Sequence, residues 1–301
     1  MNFHAFVDNV SVTVGSKFMP KYFREGIETL SLNEHLKMPD IELPGMFEAE
    51  LLDPQKRDYN VTANSKVGKL SAGFRIAKWM GAKYPVIIYH HGASEIPFDY
   101  GFNRIFLTGK EKYSVQANLI LIRAPFHGSM QEFKDGIRTL AGYMAMLAVS
   151  VKLIEAIVVY LRKSGVKKIL LSGTSLGGYI TNIHHIYFDS ADIYVPLLAG
   201  TAMDDTFLNS TYSKAVDSKA KANPNVIQSL LNFETDFANQ INSNVFPLLA
   251  KYDQLVRHER QKESYGQTPV YTIEKGHATG AMSYRLLREH IFQRLIKGNL
   301  R

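Results

Sequence analysis

Short, continuous apolar runs recur along this chain: Pro85–Tyr89, Ala117–Ile122, Lys168–Ser172, Ile193–Leu198, Val245–Ala250 and Val270–Ile273. Uninterrupted apolar runs of roughly four to eight residues are the mark of strands covered on both faces. Two further stretches, Glu48–Leu52 and Lys69–Ala77, alternate polar and apolar positions and read as the first strands. Helical spacing fills the gaps. Met130–Arg162 predicts one long helix or two, and Leu176–Phe188 carries Ile180, Ile183 and Ile186 on one side. Thr279–Lys297 gathers Met282, Leu286, Leu287, Phe292, Leu295 and Ile296 into a stripe that leaves Arg285, Arg288 and Glu289 off it. Strands alternating with helices over this length predict an α/β fold, with a mostly parallel central sheet flanked by helices on both faces. Such sheets hold ligands at the carboxyl ends of their strands.

The pattern divides the chain into an N-terminal segment, residues 1–45, of no clear periodicity; a core, residues 46–200 and 245–301; and an insertion, residues 201–244, too long for a plain connection. Within the insertion Asn223-Pro224 reads as a helix start, an N-cap followed by proline at the first helical position, with Ile227, Leu230 and Leu231 behind it. A small helical cap is the reading, against a disordered linker. Its apolar residues Met203, Phe207, Leu208, Leu230, Phe233 and Phe237 either line a pocket or form the cap's own core.

The chain has 301 residues, 46% of them hydrophobic and 21% charged, which suits a globular protein and excludes disordered and collagen-like classes. It has no cysteine, so disulfides, cysteine–zinc sites, iron–sulfur clusters and a thiol nucleophile are all excluded. The net charge of +7 is scattered, with runs no longer than pairs such as Lys167-Lys168, and predicts no nucleic-acid partner. Leu140–Tyr160 is apolar enough to suggest a membrane span, but Lys152 and Glu155 interrupt it and a buried helix is expected. The first residues lack the basic start and apolar core of a signal peptide, so the expected location is cytoplasmic. Nothing in the pattern speaks to oligomeric state.

Candidate chemistry lies at the strand ends. Gly173-Thr174-Ser175-Leu176-Gly177 is a G-x-S-x-G directly after a buried strand and directly before a helix. A serine at such a turn is held in a strained conformation with its Oγ exposed, and small neighbours are needed where strand and helix crowd. The rival reading is a phosphate-cradling turn, but neither G-x-x-x-x-G-K-[ST] nor G-x-G-x-x-G is present. A hydroxyl needs a base. Among ten histidines, His277 follows the last strand and precedes the last helix, whereas His184 and His185 read as packed or solvated and His290 as surface. Asp253, directly after the Val245–Ala250 run, is the favoured acid, and the pair Asp204-Asp205 is its rival. The oxyanion donors are expected to be the N–H of Leu176 and that of Ala93, with Gly92 as fallback. His90 and His91 are read mainly as shaping that loop. His91, Arg123, His127 and Phe207 are further candidates for the pocket.

Taken together, HHGA, GTSLGG, KYDQLV and GHATG, each at a strand end, resemble the α/β-hydrolase family over roughly residues 45–297, in its order Ser…Asp…His. The resemblance implies a Ser-His-Asp mechanism with no metal or organic cofactor, acting on a small-molecule ester as a carboxylesterase does. The same triad serves acyltransferases, thioesterases and peptidases, and the fold also serves as a silent binding module. HHGA departs from the lipase-type HGGG, which points away from that lipase branch.

Overall fold

The structure, a computed structural model, describes residues 2–18, 20–43, 58–108 and 116–297. Eight strands occur among them: β1 (Asp58–Ser65), β2 (Gly68–Lys78), β3 (Val86–His90), β4 (Asn118–Arg123), β5 (Ile169–Thr174), β6 (Ile193–Leu197), β7 (Leu248–Ala250) and β8 (Tyr271–Ile273). They form one sheet in the order β1-β2-β4-β3-β5-β6-β7-β8. The pairs β1/β2 and β2/β4 are antiparallel and every other pair is parallel, so the expected α/β class holds. Every residue of β3, β5 and β6 is buried, as continuous apolar runs require. Each fully buried Leu, Ile or Val there contributes about 1.5–3 kcal/mol.

The edges depart from expectation. β1 escapes the sequence pattern because the face it buries is Tyr59, Val61, Ala63 and Ser65, small or polar in half its positions. The strand expected at Glu48–Leu52 lies outside the described residues. The run Val245–Ala250 is cut to Leu248–Ala250, with only an isolated bridge from Val245 to Tyr194 before it. Pro247 lies between and offers no N–H to a ladder. β8 is not covered on both faces; Tyr271 and Thr272 are exposed at the sheet's outer edge.

Met130–Arg162 resolves into two helices, Met130–Gly136 and Leu140–Lys163, each N-capped by a hydroxyl: Ser129 Oγ accepts from Glu132 N at 3.1 Å, and Thr139 Oγ1 from Gly142 N at 3.0 Å. Leu140–Lys163 is long and apolar enough to cross a membrane, but most of its length is buried in the core. The expected final helix is also two, His277–Ala281 and Tyr284–Lys297. Of the predicted stripe Leu287 and Leu295 are buried, joined by Ile291, while Met282, Leu286 and Ile296 are exposed. His290, read as surface, is buried and donates from Nε2 to Phe246 O at 3.0 Å.

Between β6 and β7 run short helices: Met203–Leu208, Thr211–Ala215, Ser218–Lys221, Pro224–Leu231 and Glu234–Ala238. Asn223 precedes Pro224 at the N-cap, and Ile227 and Leu231 are buried beneath that helix. The N-terminal segment contains the helices Phe3–Phe18 and Leu32–Leu36. Phe3–Phe18 packs on Thr211–Ala215 and on His277–Ala281, which brings the start of the chain to the strand ends.

Candidate active site

β5 ends at Thr174, the helix Leu176–Tyr187 begins two residues later, and Ser175 forms the corner. Its φ of 56° and ψ of −113° lie where a residue with a Cβ is strained. Crowding explains the flanking glycines. A Cβ on Gly173 would sit 2.5 Å from the Gly177 carbonyl, and one on Gly177 would strike the His90 carbonyl and come within 2.9 Å of His91 O. The first ladder bond of the helix runs from Tyr179 N to Ser175 O, 3.0 Å, so the N–H of Leu176 lies ahead of the ladder at the positive end of the helix dipole.

Three side chains from three strand ends meet here. His277 Nε2 lies 3.0 Å from Ser175 Oγ, and His277 Nδ1 lies 2.7 Å from Asp253 Oδ2. The other Asp253 oxygen accepts from Leu255 N at 2.8 Å and Val256 N at 2.7 Å. These two amides fix the carboxylate independently of the histidine. Burial works against a charged His277. The Asp253 carboxylate and its hydrogen bond outweigh that penalty, with help from Asp8, and hold the imidazole above its ordinary value. Burial pushes the Asp253 carboxyl up, while attraction to His277 and the bonds from His277 and the Val256 amide pull it back. The rival acids are engaged elsewhere. Asp204 accepts from Asn232 Nδ2 at 3.1 Å, and Asp205 is clasped by Arg257, whose Nε donates to Oδ2 at 2.9 Å.

The loop after β3 faces the serine. Gly92 N donates to Glu95 Oε1 at 2.9 Å, so the fallback oxyanion donor is already taken, while Gly101 N donates to the other Glu95 oxygen at 2.7 Å. Burial holds the Glu95 carboxyl above the usual range. His91 lies beneath the loop, not on a pocket wall. Its Nδ1–H donates to Gly92 O at 2.8 Å and its Nε2 accepts from Ala124 N at 3.1 Å, which fixes a neutral tautomer joining the ends of β3 and β4. His127 is likewise structural, with ring nitrogens 2.9 Å from Pro125 O and 3.0 Å from Ala93 O. Its grip on the Ala93 carbonyl orients that residue. Arg123 leaves the pocket altogether, because Nη2 is drawn to Asn60 Oδ1 at 2.8 Å and Ala72 O at 3.1 Å across the antiparallel strands.

Of the pocket candidates, Phe207 does border the cavity beside Ser175, as does Met203. Phe233 and Phe237 do not border it and are buried in the hydrophobic core. The cavity measures about 250 Å³, and among the described residues its walls hold no Lys or Arg. Four tyrosines line it that sequence reasoning did not single out: Tyr22, Tyr143, Tyr179 and Tyr212. Burial pushes all four phenols up, so they stay protonated. Tyr212 O–H donates to Tyr22 OH at 2.6 Å, and Tyr179 OH pairs with Thr206 Oγ1 at 2.8 Å. Glu95 had a visible signal, an acid two residues after Ala93. Tyr22 had none, since only the folded N-terminal segment brings it here.

No protein-family profile matches the chain, and no curated protein matches it by sequence. Solved structures do match. Acetyl xylan esterase 1 from Thermoanaerobacterium sp. superposes with a TM-score of 0.53 and 15% identity, over 89% of this chain and 96% of that one. Est1E from Butyrivibrio proteoclasticus, solved with ferulic acid bound, gives 0.53 and 18% over 76% and 96%. The 2,6-dihydroxy-pseudo-oxynicotine hydrolase gives 0.55 and 16% over 82% and 69%. At these identities the likeness is one of fold.

Proposed function

We propose that this chain, which has the α/β-hydrolase fold, hydrolyses carboxylic esters of short, uncharged acyl groups, with Ser175 as nucleophile. One observation carries the reading: a strained serine at a helix start lies 3.0 Å from an imidazole whose far nitrogen is 2.7 Å from a buried carboxylate. In this reading Ser175 Oγ attacks the acyl carbon while His277 Nε2 takes its proton, and Asp253 stabilises the imidazolium. The tetrahedral oxyanion accepts from the N–H groups of Leu176 and Ala93. The intermediate collapses as His277 returns the proton to the leaving alkoxide, which departs as the alcohol. Water, deprotonated by the same imidazole, then releases the acid and restores Ser175.

The cavity supports the substrate class. Its volume of about 250 Å³ falls below the roughly 300–1,000 Å³ of drug-sized sites, and its aromatic walls carry no cation to pair with a charged acyl group. The test is hydrolysis of p-nitrophenyl esters of graded chain length, alongside labelling by a fluorophosphonate probe. Turnover and labelling that both disappear in Ser175→Ala are expected. Hydrolysis undiminished in that variant would refute the assignment.

A further inference from the structure

The carboxylate of Asp8, on the N-terminal helix, is completely buried between the two loops that supply His277 and Asp253. Its Oδ2 accepts from His277 N at 2.8 Å and from Gln254 N at 3.1 Å, and its Oδ1 accepts from Ala278 N at 2.9 Å. Gln254 is the neighbour of Asp253. One side chain therefore ties the backbone of the base to the backbone beside the acid. Gly276 lets the helix come this close, since a Cβ there would sit 2.8 Å from Asp8 Oδ2 and from His4 O. Further contacts hold the same helix in place: His4 Nδ1 is 2.9 Å from Thr279 Oγ1, the His4 ring stacks on Tyr252, and Thr211 Oγ1 donates to Asn9 Oδ1 at 3.0 Å.

We infer that Asp8 is a positioning residue for the catalytic histidine, and that the N-terminal helix is a working part of the site rather than an appendage. The inference rests on the reading of Ser175 and His277 given above. Three charge-assisted bonds, two to the successive amides of His277 and Ala278 and one to Gln254 beside the acid, fix the main chain that aims the imidazole. A displacement of about 1 Å at such a group costs on the order of a hundredfold in rate. The charge matters as well as the geometry. His277 faces two anions, Asp253 and Asp8, and His4 is the titratable group one turn from Asp8 on its own helix.

The experiment compares wild type with Asp8→Asn and Val12→Ala in full-length protein. Val12 is buried on the same helix, and its hydrocarbon side chain has no polar atom to bond these amides. In Asp8→Asn an amide N–H₂ faces a backbone donor, and one negative charge is gone. The expected result is a fall in kcat of about tenfold to a hundredfold, KM little changed, and an acid limb of the kcat/KM profile moved to lower pH. Val12→Ala should lower the melting temperature and leave kcat and the limb in place. A folded Asp8→Asn with wild-type kcat and an unmoved limb would overturn the inference. Should Asp8→Asn fail to fold, Asp8→Glu keeps the charge and shifts the oxygens. Reduced kcat with an unmoved limb is then expected, and wild-type kcat overturns the proposal. Failure of the underlying reading shows separately, as wild-type and Ser175→Ala proteins that behave alike.

Discussion

His277 Nε2 and Ser175 Oγ stand 3.0 Å apart, although their residues are separated by 102 positions in the chain. In the proposed mechanism the imidazole takes the serine proton across this distance, so removing either partner should disable the pair as a unit. Ser175→Ala and His277→Ala should each reduce kcat by about three to six powers of ten, and the double variant by little more. A double-variant loss equal to the product of the single losses would show that the two side chains act independently.

The pH dependence follows from the anions around His277, which hold its imidazole above its ordinary value. In the proposed mechanism His277 serves as the base only when neutral. Activity should therefore fall on the acid side as His277 becomes protonated, with the limb lying above pH 6.5, the ordinary position of an imidazole. In the free enzyme this limb is read from kcat/KM. A limb well below that position would mean that another group controls the rate.

Stability should also fall in acid, but through histidines the site does not use. Burial holds His90 down at about 3 and His290 at about 4. Unfolded, both bind a proton near pH 6.5. Between those values the unfolded chain carries more protons than the folded one, so stability is lost as pH falls from about 6.5 towards 3. The loss is on the order of a few kcal/mol. Urea midpoints measured from pH 7 down to pH 4 should decline steadily. His277, with its raised value, contributes the other way: its share is present below pH 6.5 and lost as pH rises through the folded value.

Gly177 offers a steric test of the corner. A Cβ there meets the carbonyls of His90 and His91, both backbone and neither able to swing aside. Gly177→Ala should cost about 1–3 kcal/mol or more and, by pushing the β3 loop from the serine, abolish labelling of Ser175. Stability and labelling both unchanged would show that the corner is looser than it stands here.

Phe207 is both cavity wall and buried side chain. Truncating it should move the preferred acyl chain to greater length while costing about 3–5 kcal/mol of stability. A chain-length series on Phe207→Ala checks both, and an unchanged optimum would place the acyl group elsewhere.

The centre of the sheet was legible because strands buried on both faces leave an uninterrupted apolar trace, as in Val86–His90 and Ile193–Leu197. The corner at Ser175 was legible because steric crowding dictates glycines at fixed offsets. Local signals end there. β1 buries Ala63 and Ser65, which no hydrophobic pattern flags. Arg123 stands at a strand end like the functional residues, but Asn60 and Ala72 on neighbouring strands draw it away from the cavity. Tyr22 and Asp8 reach the site only through packing of a segment whose own periodicity says nothing of its destination.

Asp8 and Ala278 are bonded across 270 positions of sequence. During synthesis the helix Phe3–Phe18 emerges well ahead of the amides it binds, and its carboxylate must wait for partners that follow some 270 residues later. Until they do, the hydroxyl of Ser175 is present without an oriented imidazole, so under the proposed mechanism a half-made chain carries the nucleophile but not the reactivity. Chemical competence and completion of the fold arrive together.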